Sequence, residues 1–93
     1  MKTETMHLTI KISGDLKGLG LRFSAMHEAY KAGVNGIIKY TTEGAAYIEA
    51  EGTPRQIEPF KSWCIGIAKK YDNRKIAIMT DKSKGYTEFN IID

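Results

Sequence analysis

A glycine-rich stretch, GDLKGLG at residues 14–20, separates the first two structured segments that the sequence predicts. The strand prediction for Met6–Ser13 rests on apolar residues that alternate with polar ones, namely Leu8, Ile10 and Ile12. The helix prediction for Leu21–Ala32 rests on apolar residues at helical spacing, with alanines beside them: Phe23, Met26 and Tyr30. A loop this dense in glycine can adopt positive φ angles and bring its backbone close to a ligand.

The middle of the chain predicts a β-hairpin. Gly36–Thr42 and Ala45–Glu51 are strand candidates, and the short Glu43-Gly44 turn between them favours antiparallel pairing. In the second of these strands, one face is expected to carry Ala46, Ile48 and Ala50. The opposite face is expected to carry Tyr47, Glu49 and Glu51.

The second half of the chain predicts a helix followed by two strands. Thr53 and Gln56 form a capping-box pattern around Pro54, which suits a first helical turn, and the helix is expected to reach about Lys70. Arg74–Met79 and Tyr86–Ile92 are the remaining strand candidates.

The order is β-α-β-β-α-β, with a short extra strand or a strand extension near one end, and it predicts an α+β fold of the ferredoxin-like split-sandwich type. We expect an antiparallel sheet of four or five strands with both helices on one face. A length of 93 residues predicts a single domain, residues 1–93. The residues expected to be largely buried are Ile10, Ile12, Ile38, Ile48, Phe60 and Ile67.

Composition narrows the classes of function. A net charge of +3 with scattered basic residues is small for a nucleic-acid-binding protein, and no apolar run is long enough to span a membrane. The lone cysteine, Cys64, cannot form an internal disulfide, and burial in the second helix is its expected role. His7 and His27 lack partners at metal-ligand spacing. Residues 1–7 lack the apolar core of a signal peptide, so a cytoplasmic location is expected.

The strand–glycine loop–helix arrangement predicts an anion site. It gathers backbone N–H groups at the positive end of a helix dipole. Arg22, in the first helical turn, adds a permanently charged fork beside these amides. The pattern is not a Walker loop, because no Gly-Lys-Ser/Thr follows at the required spacing. A plain tight turn with a solvated arginine is the competing interpretation.

Residues 12–23, ISGDLKGLGLRF, resemble the acylphosphatase signature V-x-G-x-V-Q-G-V-G-F-R without a gap. The identical positions are Gly14, Gly18, Gly20 and Arg22, whereas Lys17 replaces the usual Gln and Leu21 the usual Phe. Downstream, residues 33–38 resemble the family's G-L-x-G-W-V and Glu43-Gly44 its D-G. The likeness covers nearly the whole chain.

The resemblance implies a hydrolase of the carboxyl–phosphate bond of small acyl phosphates that needs no metal or cofactor. It implies that Arg22 binds the phosphoryl group together with loop amides, which come from Asp15, Leu16, Lys17, Gly18, Leu19, Gly20 and Leu21. Inorganic phosphate or sulfate would bind the same cradle. The leaving carboxylate is weakly basic, so positioning and charge stabilisation can supply most of the catalysis.

One position departs from the family. The asparagine that orients the attacking water in acylphosphatases aligns with Tyr40. Asparagine offers a short donor and acceptor, whereas tyrosine places one hydroxyl at the end of a rigid ring. The sequence therefore predicts weak or lost hydrolysis, and loss of one positioned group costs about 100- to 1000-fold in rate.

Two other classes of function are compatible with the same fold. The first is a non-catalytic module that binds phosphate or another anion, or a partner, through the same fold. The second is an RNA-recognition domain of the same topology. RNA binding is disfavoured because Ala45–Glu51 carries one aromatic and two acidic residues where stacking rings and basic residues are expected.

Overall fold

The computed structural model describes residues 4–71 and 75–92. Its elements, in chain order, are β1 (Met6–Ile12), α1 (Leu21–Ala32), β2 (Asn35–Tyr40), β3 (Ala46–Gly52), α2 (Pro54–Lys70), β4 (Ile76–Asp81) and β5 (Phe89–Ile91). The predicted α+β class and element order are confirmed, with β5 as the additional strand. The fourth predicted strand began at Arg74, which lies outside the described residues.

The five strands form one mixed sheet in the order β4-β1-β3-β2-β5. The β1–β3, β1–β4 and β2–β3 pairs are antiparallel, as expected. The expectation of a purely antiparallel sheet was wrong for β5, which pairs with β2 in parallel. β4 ends at the same end of the sheet as β3, where β2 begins. The connection that leaves β4 at this end crosses to the far edge of the sheet, and β5 starts from the same end. β5 therefore runs in the same direction as β2.

Both helices pack on one face of the sheet, as predicted. Their buried residues share a core with β1, β2 and β3, to which Ile10, Ile12, Ile38, Ile48 and Phe60 contribute as expected. Ile67 is only half-buried, because the buried stripe of α2 continues from Cys64 to Ala68 instead. The predicted capping box is present: the Gln56 amide donates to Thr53 Oγ1, and the Thr53 amide donates to Gln56 Oε1.

Helix α1 presents a different stripe to the core from the one that its large apolar residues predicted. Phe23 is 65% exposed and Tyr30 is 88% exposed. The buried stripe consists of smaller residues, Leu21, Ala25 and Ala29. Small side chains let the helix lie close to the sheet, whereas the aromatic rings remain at its outer surface.

The opposite face of the sheet carries a buried charged cluster that strand periodicity did not predict. Glu49 is 4% exposed and Glu51 is 3% exposed, although both lie on the face away from the helices. The His7 ring lies between them, with Nδ1 2.7 Å from Glu51 Oε2 and Nε2 3.2 Å from Glu49 Oε1. Glu49 also accepts a hydrogen bond from the Tyr47 hydroxyl and lies 2.7 Å from Lys84 Nζ.

The Glu51 carboxylate holds the β4–β5 connection in place. It accepts hydrogen bonds from the backbone amides of Lys84, Gly85 and Tyr86. Burial alone would raise the pKa of Glu51, but the Lys84 and Tyr86 amides and the His7 ring hold the pKa below its ordinary value of 4.5. β5 starts at Phe89 and not at the predicted Tyr86, whose amide bonds to the Glu51 side chain instead of a neighbouring strand.

We expect Glu51→Gln to lower the free energy of unfolding at neutral pH by about 1–3 kcal/mol, because a buried amide would then face three N–H donors. A carboxyl whose folded-state pKa is lowered stabilises the fold above its ordinary pKa and loses that effect as pH falls. The variant should therefore lose less stability on acidification than the native chain does.

Urea denaturation followed by Trp63 fluorescence, at neutral pH and well below the ordinary carboxyl pKa, measures both effects. Glu58→Gln, at an exposed position of α2, is the matched control. Equal stabilities of the two variants at neutral pH would contradict the anchoring role of Glu51.

Candidate functional site

The loop between β1 and α1 depends on left-handed glycines. Gly14, Gly18 and Gly20 have φ angles of 105°, 85° and 67°, a region that side chains rarely adopt. A Cβ added to Gly18 or Gly20 would have no atom within 4 Å. These two glycines are therefore required by backbone conformation, and the space beside them is open.

The same loop leads directly into α1, and the N-terminus of this helix has no side-chain cap. Gly20 is the N-cap of α1, no side chain caps the helix, and its first turn holds no acidic residue. Within the described parts of the chain, the amides of Gly18, Leu19, Gly20 and Leu21 donate no hydrogen bond. Unpaired N–H groups at the positive end of a helix dipole attract an anion.

Leu16 anchors the loop to the body of the protein. Its side chain is fully buried, and its amide donates to the Gly44 carbonyl at 2.9 Å. Its own carbonyl accepts a hydrogen bond from the Tyr40 hydroxyl at 3.2 Å. The Lys17 amide also donates to Asp15 Oδ1. Among the described residues of the predicted cradle, the longest run of amides that donate no hydrogen bond is therefore Gly18 to Leu21.

Arg22 and Tyr40 lie against each other at the edge of the loop. The guanidinium carbon of Arg22 is 5.1 Å from the centroid of the Tyr40 ring, a cation–π distance. An open pocket of about 390 Å³ is lined by Lys17, Gly18, Arg22, Tyr40 and Ile92. The structure thus brings together Arg22, Tyr40 and part of the glycine-rich loop, all of which the sequence analysis singled out.

Two contributors to this site escaped sequence reasoning. Leu16 was predicted only as an amide donor, although an apolar residue inside a polar glycine loop is a signal for anchoring. Ile92 reaches the pocket through the path of β5, which the strand pattern did not reveal.

Other candidate residues lie elsewhere. Cys64 is buried in α2, and burial raises the pKa of its thiol to about 12, which suits packing and not nucleophilic chemistry. Among residues 4–71 and 75–92, no group of three or more His, Cys, Asp or Glu side chains could hold a metal ion. No helix in this part of the chain is long and apolar enough to cross a membrane.

Comparison with known proteins settles the family. Residues 8–91 match the family model described as Acylphosphatase. The chain belongs to the acylphosphatase family. An acylphosphatase of Mannheimia succiniciproducens is 38% identical over 52 residues, 56% of this chain and 58% of that protein. An acylphosphatase of Thermococcus kodakarensis is 35% identical over 63 residues, 68% of this chain and 67% of that protein.

Solved structures agree with this assignment at the level of the fold. Acylphosphatase from Bacillus subtilis matches with a TM-score of 0.79 at 23% identity, covering 95% of this chain and 99% of that one. Full-length HypF in a phosphate- and nucleotide-bound form matches with a TM-score of 0.81 at 25% identity. That match covers the whole of this chain but 12% of HypF, so the acylphosphatase fold also occurs as part of a much larger protein.

The anchoring of the loop predicts different costs for two alanine substitutions. Gly18 and Gly44 have similar φ angles, 85° and 90°, so each substitution incurs the left-handed cost of about 1–2 kcal/mol. At Gly44 the added Cβ would also lie 2.5 Å from Asp15 Oδ1 and 3.2 Å from Asp15 Cα. We expect Gly44→Ala to destabilise the protein more than Gly18→Ala in urea unfolding. Equal destabilisation would show that the close contact between turn and loop is not needed.

Proposed function

We propose that the protein binds the phosphoryl group of a small acyl phosphate and hydrolyses its carboxyl–phosphate bond slowly. The observation that carries the proposal is the run of uncommitted amides from Gly18 to Leu21, in a loop whose Gly18 lines the same pocket as Arg22. Inorganic phosphate and sulfate are the simplest ligands of the same site. A cytoplasmic location is part of the proposal, since the lone cysteine does not favour an oxidising compartment.

The chemistry suits these groups. Phosphoryl oxygens carry the charge that backbone N–H donors and a guanidinium stabilise, and a fixed cradle needs no rearrangement as the reaction proceeds. The departing carboxylate is a weak base, so no general acid is required to protonate it. Reaction class and family agree, and Arg22 and the loop amides are the residues that would touch the substrate.

Slow turnover is proposed because of what Tyr40 does in the structure. Its hydroxyl donates a hydrogen bond to the Leu16 carbonyl, and its ring lies against Arg22. The side chain therefore supports the loop and the guanidinium, and its single donor is already used. A water molecule would find no amide at this position to orient it.

These same contacts favour a second candidate function, a non-catalytic module that binds phosphate or a related anion. Tyr40 stabilises both halves of the binding site, the loop through Leu16 and the charge through Arg22. A site held rigid in this way lowers the cost of ordering on binding. Measured hydrolysis of acetyl phosphate or benzoyl phosphate separates the two functions.

We expect phosphate to shift the backbone amide NMR signals of residues 18–22. Arg22→Ala should weaken binding by about 1.5–3 kcal/mol, roughly 10- to 150-fold in affinity, because a charge-assisted hydrogen bond is lost. Arg55→Ala, at an exposed arginine of α2, is the matched control and should bind normally. Shifts confined to residues far from the loop would refute the site.

We expect Tyr40→Asn to raise the steady-state rate of benzoyl phosphate hydrolysis, by up to about 100- to 1000-fold if the amide reaches the attacking water. The turnover rate should change more than the KM, because Arg22 and the loop amides still bind the phosphoryl group. Tyr40→Phe is the matched control: it retains the ring and supplies no amide, so it should not gain activity.

The larger-to-smaller change at Tyr40 removes packing, so thermal unfolding of each variant must be measured beside its activity. Native hydrolysis at an ordinary enzyme rate that is abolished in folded Tyr40→Asn would show that Tyr40 replaces the family asparagine in catalysis. No hydrolysis by any folded variant that still binds phosphate would favour the anion-binding module.

A further inference from the structure

Tyr40, which carries a nucleophilic hydroxyl, lines the pocket of the proposed phosphoryl site. The phenol oxygen is held 3.2 Å from the Leu16 carbonyl, within the loop that forms the cradle. Tyr40 also lines the same open pocket as Arg22, Lys17 and Gly18. Tyr40 therefore shares a pocket with groups that would hold the phosphoryl group, and two contacts of its own side chain define its position.

Acyl phosphates are phosphoryl donors, and a tyrosine hydroxyl can accept the phosphoryl group. We propose that Tyr40 is a phosphorylation site of this protein, modified by the acyl phosphate that the protein itself binds. The inference rests on the proposed function, since it needs the phosphoryl group to occupy the cradle beside Arg22. It adds a covalent product that hydrolysis does not form.

The transfer balances without a further reactant. The Tyr40 Oη forms a bond to phosphorus, and the bond between phosphorus and the bridging acyl oxygen breaks. The electron pair of that bond leaves with the carboxylate, and the phenolic proton passes to solvent. Transfer is downhill because a carboxylate, whose acid has a pKa of about 4, is a far better leaving group than a phenolate, whose phenol has a pKa of about 10.

The product should persist. Among the described residues that line the pocket, none carries a carboxylate or an imidazole that could activate water against a phosphotyrosine. The phosphate on Tyr40 would remain beside Arg22 and Lys17, where two cationic side chains stabilise its charge. The reaction should therefore proceed once per chain and leave the binding site occupied by its own product.

The exposed tyrosine Tyr30 distinguishes this reaction from random modification. Tyr30 is 88% exposed on α1 and does not line the pocket, so adventitious phosphorylation would reach it first. Site-directed transfer predicts the opposite order, with the half-buried Tyr40 modified and Tyr30 unmodified.

The test incubates the full chain with acetyl phosphate and measures intact mass, followed by peptide mapping. We expect one added phosphoryl unit, located on Tyr40, and acetate release that slows as the modification approaches one unit per chain, because the phosphorylated site no longer binds substrate. Intact mass also separates phosphoryl from acetyl transfer. Tyr40→Phe should abolish the modification, Arg22→Ala should strongly reduce it, and Tyr30→Phe should leave it unchanged.

Two results would overturn the inference while leaving the proposed function intact. One is hydrolysis or phosphate binding by the native chain with no phosphorylated protein. The other is equal phosphorylation of the native chain and Tyr40→Phe, which would place the modification elsewhere. Failure of phosphate to bind the native chain at the loop would overturn the proposed function, and with it the inference.

Discussion

The anchoring of Leu16 to the body of the protein is the constraint on which the candidate site depends. A glycine-rich loop has many conformations to lose, and ordering it is costly. Burial of one leucine side chain, a hydrogen bond from its amide to Gly44, and one from Tyr40 to its carbonyl hold the loop at a single point. The residues beyond that point, from Gly18 to the start of α1, have amides that are free to bind a ligand within the described structure.

A second set of polar contacts shapes the far end of the sheet. Charged side chains are rarely buried unless they are paired, and the carboxylates of Glu49 and Glu51 satisfy this rule through His7, Lys84 and backbone amides. These contacts guide the chain from β4 to the opposite edge of the sheet, where β5 pairs with β2. Ile92 follows β5 and lines the pocket beside Arg22. The route of this connection therefore also determines which side chain from the end of the chain lines the candidate site.

In the proposed function, Tyr40 favours the binding of an anion over the hydrolysis of an acyl phosphate. A side chain that supports the loop and packs on the guanidinium favours a preorganised anion site, whereas hydrolysis needs a group that orients water. Family membership is compatible with both roles, because it rests on the match of residues 8–91 and on the fold. The Tyr40 hydroxyl, which supports the loop, is also the nucleophile of the proposed phosphoryl transfer.

Local patterns determined much of this protein. Alternating apolar residues predicted β1, and the Thr53–Gln56 capping box predicted the start of α2. Glycine spacing with Arg22 predicted the loop of the candidate site. These features could be predicted because each one depends on contacts between residues close in sequence. Tertiary structure decided the rest. The parallel pairing of β5, the alanine stripe that α1 buries, the burial of Glu49 and Glu51, and the contacts of Tyr40 with Leu16 and Arg22 all join segments far apart in the chain. Periodicity within one segment carries no information about which distant residue completes its hydrogen bonds, so only the folded chain shows it.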